Sequence, residues 1–588
     1  MQLRQPRIAL LGLASVLLAP LAPAAGSGTP PNILVIVADD LGVEILGGYG
    51  PQPDQPPTPV LDQLVLDGVR FENAWASPIC TPTRAEIQTG RHALRTGMGS
   101  LLGGIQDTPF GDYGLPLDEI TIPEMLDLGA PAVWEHACIG KWHMASKATG
   151  GLLAPNMAGY DHFAGLMGNI IAPETYESWE RVVDGIAAPE TGYATSVQVD
   201  DALAWIGQTT GSWFCIVNFS TPHLPFHEPP AALHTQDLST AGDPIANPRP
   251  YYKAMVEAMD TEIGRLLTGL GTQASNTMVF FLGDNGTPAK AAGPPLDELH
   301  AKGSFFEGGV QVPLIAKGPL VGTAGSSSDA LVDVTDLWAT VADIAGIDPA
   351  TVLPVGETLD GISLVPYLAD ATTPSVKDHI FTEIFRPNSE DGGLPVYFGT
   401  GPVCQEDLGF GGPGDAVLSV CGDPLAPGNF TDVLVTGAPP LAPAWLAGSF
   451  QANPIPIGGG FLVPNPETFV QPVFTDAKGE IFIPDLTSSL GPLEYYAQFA
   501  IVDPSQPFGF AITNAVRLEF LPTNTKAVRG ERYKLVRIFN GGADELYDLQ
   551  TDPYEAVNLL TAGPPLTTEQ DAAYQALIAE LDAFIQSF

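Results

Sequence analysis

The stretch Ile33-Leu34-Val35-Ile36-Val37-Ala38 contains no polar side chain and ends on Asp39-Asp40. A strand with one wet face alternates apolar and polar residues. A continuous apolar run instead predicts a strand covered on both faces, the condition found in parallel sheets. Trp213-Phe214-Cys215-Ile216-Val217-Asn218-Phe219 and Met278-Val279-Phe280-Phe281-Leu282 repeat the pattern, and Val133 to Ile139 is a version interrupted by Glu135 and His136. Helices are expected between these runs. Thr58-Pro59 opens one that carries Leu61, Leu64 and Val65 and closes at Gly68. Tyr251 to Leu270 sets Tyr252, Met255, Met259, Ile263, Leu266 and Leu270 at helical spacing, and Asp329 to Gly346 reads as a single helix with Val334, Leu337, Val341 and Ile344 on one stripe. Strands alternating with helices predict an α/β fold with a mainly parallel central sheet.

Ligands of such sheets bind beyond the carboxyl ends of the strands. Here those ends carry Asp39-Asp40, Lys141 and His143, His223, and Asp284-Asn285. Asp39, Asp40, Asp284 and Asn285 offer oxygen ligands only, a set that suits Ca2+ or Mg2+ better than zinc. Read singly, Asp39-Asp40 could cap a helix and Asp284-Asn285-Gly286 could be a plain turn. Arg84, Lys141 and Lys302 are cations placed to hold an anionic substrate, and His143 and His223 can move protons near neutral pH. The segment Cys80-Thr81-Pro82-Thr83-Arg84 places a thiol just ahead of an expected helix, with Thr81 as cap and Pro82 in the first turn. Backbone N–H groups at such a position favour an anion, whereas a small buried thiol is the ordinary fate of a free cysteine.

The chain has 588 residues, with 24 Lys+Arg against 67 Asp+Glu and a formal charge of -43. This balance excludes nucleic acid as a partner, because phosphate binding needs basic surface. Residues 1–24 have the form of an export signal: Arg4 and Arg7, an apolar run from Ile8 to Leu18, and Ala22-Pro23-Ala24 as a cleavage site. The run is short for a membrane span, no later stretch is long enough for one, and a periplasmic or secreted protein is expected. Export permits disulfides, and Cys404 and Cys421 are the expected pair, with Cys138 and Cys215 as buried thiols. A first domain is expected over 31–385, then a Gly/Pro-rich insertion over 386–526 and a C-terminal subdomain over 527–588. In the last, Tyr533 to Ile538 and Glu545 to Leu549 form a hairpin, and a helix capped by Thr567 and Gln570 buries Tyr574, Leu577, Ile578, Leu581, Ile585 and Phe588.

Cys80-Thr81-Pro82-Thr83-Arg84 with Thr89-Gly90-Arg91 resembles the signature of the sulfatases. So do Asp39-Asp40, Gly140-Lys141-Trp142-His143, Thr221-Pro222-His223, Gly283-Asp284-Asn285-Gly286 and Lys302-Gly303-Ser304-Phe305-Phe306-Glu307-Gly308-Gly309-Val310, in the same order. The resemblance covers about residues 31 to 370 and returns in Arg529 to Leu559. It implies an alkaline-phosphatase-like α/β/α sandwich and an arylsulfatase-like hydrolase. It implies that a formylglycine-generating maturation enzyme oxidises Cys80 to 3-oxoalanine (formylglycine), held as a hydrate. One hydroxyl of that hydrate would attack sulfur and release the alcohol; the other would then lose its proton and expel sulfate. A Ca2+ ion held by Asp39, Asp40, Asp284, Asn285 and the modified Cys80 would polarise both partners. By the same resemblance, Arg84 orients the hydrate, Lys141 and Lys302 bind sulfate oxygens, His143 assists proton transfer from the hydrate and His223 protonates the leaving oxygen. Thr83 stands where serine is commoner, Gln88 where the family is apolar and Gln311 where it often has arginine. Two other readings share these residues: a formylglycine-dependent phosphodiesterase or phosphonate monoester hydrolase, and a non-catalytic protein that binds sulfated glycans.

Overall fold

A computed structural model describes residues 30–50, 54–102, 113–294, 296–386, 388, 403–422, 425, 431–457, 459–464, 469–486, 493–520, 523–539, 542–561 and 563–587. The expected export signal and Phe588 lie outside them. Ten strands build the main sheet: β1 (Asn32–Ala38), β2 (Val69–Trp75), β3 (Trp134–Lys141), β4 (His162–Leu166), β5 (Trp179–Val183), β6 (Ile186–Glu190), β7 (Ser212–Asn218), β8 (Thr277–Gly283), β9 (Leu314–Lys317) and β10 (Ser326–Asp333). Their spatial order is β10-β2-β9-β8-β1-β7-β3-β4-β5-β6. Only β9 and β5 run against the others. The mainly parallel α/β sheet expected from the apolar runs is therefore present.

β1 sits in the middle of this sheet, parallel to both β7 and β8. Successive side chains of a strand point to opposite faces, and both faces here are dry. Ile33, Val35 and Val37 enter one core with Ala85, Ile87, Leu337, Trp338 and Val341. Leu34, Ile36 and Ala38 enter a second with Tyr252, Val256, Met259, Ile263 and Leu266 of the helix Pro248–Gly269. Full burial of each large side chain contributes about 1.5–3 kcal/mol, which is why no polar residue interrupts the run. α1 (Pro59–Asp67) and α2 (Cys80–Thr89) flank β2 in the chain.

The single helix expected from Asp329 to Gly346 is corrected. Residues up to Asp333 belong to β10, where Leu331, Val332 and Asp333 pair with Asn73, Ala74 and Trp75 of β2. The helix spans only Asp336–Ala345. Val334 continues the apolar stripe in projection, yet its N–H donates to the Trp75 carbonyl at 3.0 Å, so it extends the strand's pairing.

A four-stranded antiparallel sheet joins β11 (Ile380–Arg386) to the strands Thr523–Arg529, Tyr533–Ile538 and Glu545–Asp548. The helix Thr568–Gln586 covers it, opened by the Thr567/Gln570 capping box, and buries Leu577, Leu581 and Phe584 against Val528, Leu535 and Leu546. Arg386 and Thr523 are register partners, so the insertion leaves and returns through neighbouring strands. Within it, two antiparallel sheets enclose Leu418, Val420, Val435, Phe499 and Ile501. A disulfide links Cys404 and Cys421, which face each other in register. Among the described residues no helix is long and apolar enough to cross a membrane.

Candidate active site

The chain order crosses over at β1, so the carboxyl ends of β1, β7, β8 and β3 converge. Ala38 and Gly283 are register partners, which sets Asp39-Asp40 beside Asp284-Asn285 despite their distance in sequence. The Asp284 N–H donates to the Ala38 carbonyl at 3.0 Å, and the Asp40 N–H donates to Asp284 Oδ1 at 2.9 Å. Asp40 holds φ 74°, in the left-handed region that costs a non-glycine residue free energy and persists where contacts over-determine it.

α2 brings Cys80 and Arg84 to the same place. Cys80 is its first residue, and Ile79, not Thr81, is the N-cap. The expected capping role of Thr81 is thus corrected: its hydroxyl donates to the His143 carbonyl at 3.1 Å and accepts from the Leu102 N–H at 3.3 Å. Tertiary partners have outbid the local cap, and Thr81 ties the start of α2 to the loop after β3. Every residue of α2 is buried.

Around Cys80 the distances are short. Its Sγ lies 3.4 Å from Asp39 Oδ1, 3.9 Å from Asp40 Oδ1 and 3.6 Å from Lys302 Nζ. Lys141 Nζ donates to Asp39 Oδ2 at 2.6 Å, and Lys302 Nζ stands 2.5 Å from Asp40 Oδ1. Arg84 bonds Asp284 Oδ2 at 2.7 Å through Nη2 and the Lys141 carbonyl at 3.0 Å through Nη1, so one guanidinium braces α2 against the ends of β8 and β3. His223 Nε2 is 3.8 Å from Asp40 Oδ2. The ten residues singled out from sequence (Asp39, Asp40, Cys80, Arg84, Lys141, His143, His223, Asp284, Asn285 and Lys302) thus lie in and around one mostly buried cluster. His143 is attached through Thr81.

The two histidines have assignable tautomers. His223 Nδ1 faces the Leu224 carbonyl at 2.7 Å and His143 Nε2 faces the Leu102 carbonyl at 3.0 Å. A carbonyl only accepts, so both nitrogens carry hydrogen. That leaves His223 Nε2 and His143 Nδ1 with lone pairs, and His143 Nδ1 is buried without a partner. Burial lowers the pKa of both rings; for His143 the Lys141 and Arg84 charges lower it further, while for His223 the Asp40 and Asp39 carboxylates work in the opposite sense.

Electrostatics divide the carboxylates. Burial would raise Asp39, but the Lys141 ammonium, with His223, Arg84 and Lys302, holds it well below the usual range. Burial and then the Asp39 charge push Asp284 up to about 6 in spite of Arg84. Burial and the Asp284 carboxylate raise the Cys80 thiol, which is a poor nucleophile as it stands. A carboxylate that resists ionisation beside two others gains from a divalent cation. The donor set fits one. Asp40 Oδ2 and Asn285 Oδ1 are buried acceptors with no hydrogen-bond partner, a condition that costs about 1–3 kcal/mol each unless a cation or water meets them. Asp39, Asp40, Cys80 and His223 each present a ligand atom within 4.8 Å of the others. His223 Nε2 stands at the edge of this group, and each Asp284 oxygen, although it meets Arg84 or the Asp40 amide, keeps a lone pair for a cation.

Several supporting side chains escaped the sequence reading. Tyr176 donates to the His223 carbonyl at 2.7 Å and had no local signal. Glu86, on α2, accepts from Ser77 at 3.1 Å and lies 3.6 Å from His92 Nδ1. His92 directly follows Thr89-Gly90-Arg91, which could have marked it. The departures are accommodated: Gln88 accepts from the Tyr160 hydroxyl at 2.8 Å, and Gln311 donates to the Glu72 carbonyl at 2.7 Å.

The family model described as Sulfatase matches residues 31–347. The chain belongs to the sulfatase family. Among curated relatives of this sulfatase, N-acetylgalactosamine-6-sulfatase of Sus scrofa is 30% identical over 369 residues, which cover 58% of this chain and 66% of that protein. Arylsulfatase A of Bos taurus is 32% identical over 371 residues, 59% of this chain and 70% of that protein. The chain thus spans about two thirds of the length of the curated relatives it matches. Among solved structures, Ps i-CgsB in complex with k-i-k-neocarrahexaose superposes with a TM-score of 0.60 at 19% identity, covering 95% of this chain and 93% of that one. The PsFucS1 sulfatase from Pseudoalteromonas sp. gives 0.54 at 20%, covering 95% and 91%. These likenesses extend the alkaline-phosphatase-like fold of the sulfatases to this chain.

Proposed function

We propose that this sulfatase is an exported enzyme that hydrolyses a sulfate ester with a nucleophile made from Cys80 and with a Ca2+ ion. The observation that carries the reading is the position of Cys80 Sγ, buried and 3.4 Å from Asp39 Oδ1 and 3.6 Å from Lys302 Nζ. Asp39, Asp40, Asp284, Asn285 and the modified Cys80 would hold the cation. When present, the cation supplies Lewis acidity and the formylglycine hydrate at Cys80 supplies the attacking oxygen.

The chain's own groups then have separable roles. Lys141 and Lys302 bring two ammonium groups to the carboxylates beside Cys80, where negative charge on sulfate oxygens grows during bond exchange. His143, with Nε2–H committed to Leu102, can take a proton only at Nδ1. His223 keeps Nε2 free of the cation, turned toward the site, and gives a proton to a leaving oxygen only after gaining one there, a state that Asp40 favours. Arg84 fixes Asp284 and the Lys141 carbonyl, and keeps its charge because Asp284 and Asp39 oppose the effect of burial.

Sulfated sugars are the substrate class to test first. One relative is named for N-acetylgalactosamine 6-sulfate, and a solved neighbour holds its substrate D-glucosamine-2-N,6-O-disulfate. The Cys404–Cys421 disulfide supports an oxidising, periplasmic or secreted location. The test is turnover of an aryl sulfate, an aryl phosphate diester and a panel of sulfated sugars by protein co-expressed with a maturation enzyme. Mass spectrometry of the Cys80 peptide runs in parallel. Faster turnover of the diester would replace this reading with a phosphodiesterase. An unmodified thiol with no turnover would replace it with a non-catalytic sulfated-glycan-binding protein.

A further inference from the structure

Lys302 stands on a stretch, 301–306, that has neither strand nor helix of its own. Its backbone is tied to the site at two points. The Lys302 N–H donates to the Thr287 carbonyl at 2.9 Å, and the Gly303 N–H donates to the Pro78 carbonyl at 3.0 Å. A lysine head on a four-carbon stem has little intrinsic orientation, so its place depends on how the backbone beneath it is anchored. The far anchor is Glu307, first residue of the short helix Glu307–Val310.

The Glu307 carboxylate is buried and held from three sides. Trp75 Nε1 donates to its Oε2 at 3.2 Å, Arg529 Nη1 donates to Oε2 at 2.7 Å, and Lys534 Nζ donates to Oε1 at 3.1 Å. The Glu307 N–H donates to Glu555 Oε2, and Lys534 Nζ also reaches Glu555 Oε1 at 2.6 Å. Two carboxylates and two cations therefore balance in a buried interface. Arg529, Lys534 and Glu555 all belong to the C-terminal subdomain. Glu555 holds φ 55°, a left-handed conformation kept only where its contacts demand it. A second grip lies at the start of the loop. His300 Nδ1 donates to the Tyr554 carbonyl at 3.0 Å, its ring stacks on Phe306 at 3.6 Å, and Phe306 meets Tyr547 edge-on at 5.6 Å. Gly308 and Gly309 let the turn close on itself: a Cβ at either would lie 2.3 Å from the carbonyl oxygen of His300 or of Ser304. Displacing Glu307 therefore displaces the loop.

We infer that the C-terminal subdomain positions Lys302: Lys534, Arg529 and Glu555 fix Glu307, His300 is pinned by Tyr554, and the loop between them sets Lys302 Nζ against Asp40 and Cys80. Glu307 and His300 are positioning residues, since neither touches the nucleophile. Packing alone does not call for this arrangement, because apolar residues of similar volume serve a buried interface as well or better. A fully paired polar network specifies one register. The inference rests on the proposed sulfate-binding role of Lys302.

The experiment compares Glu307→Gln and His300→Ala, each alone and combined with Lys302→Ala, in mature enzyme loaded with Ca2+. Each single change is expected to lower kcat/KM on an aryl sulfate by about tenfold or more, since a shift of 1 Å in a catalytic group costs up to about a hundredfold. In the Lys302→Ala background the same changes are expected to cost less than about twofold, because coupled residues are not additive. Equal factors in both backgrounds, or no loss in either, overturn the inference. Hydrogen exchange of 299–307 is expected to quicken in Glu307→Gln while β1 and β8 stay protected; unchanged exchange in that loop also overturns it. If Glu307→Gln does not fold, the His300→Ala pair decides by the same criteria. If Lys302→Ala turns over like wild type, the role of Lys302 falls instead, and hydrogen exchange still judges how the loop is held.

Discussion

His92→Gln should lower stability by an amount that shrinks as pH rises. His92 is 4% exposed, with Nδ1 3.6 Å from Glu86 Oε1 and Nε2 3.9 Å from Asp333 Oδ2. The rings of Phe584 and Phe381 meet it edge-on. Burial alone would discharge the imidazole. Glu86, Asp333 and Asp360 outweigh it and carry the pKa to about 9, against 6.5 for a free side chain. Both separations exceed hydrogen-bond length, so the attraction is mainly ionic. At 1.36 kcal/mol for each tenfold change, the difference is worth about 3 kcal/mol of folding stability. Because the folded value is raised, that stability is fully present below pH 6.5 and is lost as pH rises through 9. Glutamine keeps much of the volume but none of the charge. Urea unfolding of both proteins between pH 6 and pH 9.5 should show a gap of about 3 kcal/mol at the acid end that shrinks toward the packing difference at the alkaline end. A gap that holds constant or widens would refute the assignment of a charged His92.

Three further outcomes are expected. Cys80→Ala should fold like wild type and lose turnover by about 10^4-fold or more, since the nucleophile's partners cannot act without it; residual activity above about 1% of wild type would count against the nucleophile. Chelation should abolish turnover and lower the melting temperature, with Ca2+ restoring both, and Asn285→Leu should raise the Ca2+ concentration needed; a melting temperature indifferent to chelator would remove the cation from the site. Tyr160→Phe strands the buried Gln88 Oε1 and should cost about 1–3 kcal/mol, with Gln88→Leu partly rescuing it; full additivity of the two changes would mean the 2.8 Å hydrogen bond carries little.

Much of the site could be read from sequence because its residues sit where apolar runs stop. Asp39, Lys141 and Asp284 stand at the ends of strands whose burial on both faces leaves an apolar run to follow. Cys80 and Arg84 were visible as a motif, but not the first turn of α2: Thr81 has a cap's chemistry and spends it on His143 and Leu102, partners that no local pattern reveals. The same holds for β10, where the stripe from Val334 onward continued the helix backward over residues that pair with β2. Glu307 lay inside a quoted motif, yet its meaning comes from Arg529 and Lys534, more than two hundred residues downstream. Periodicity reports which face is buried; it carries no information about which distant charge is buried beside it.

The register pairing of Arg386 with Thr523 bears on how this chain could have grown. The stretch between them departs and comes home at one hydrogen-bonded step of a sheet, so its length is decoupled from the placement of either anchor. Closing a longer loop costs only about 0.6 kcal/mol for each doubling. A cassette spliced at that step can lengthen, acquire its own disulfide and its own core, and be exchanged for another, while the two strands that anchor it keep their register.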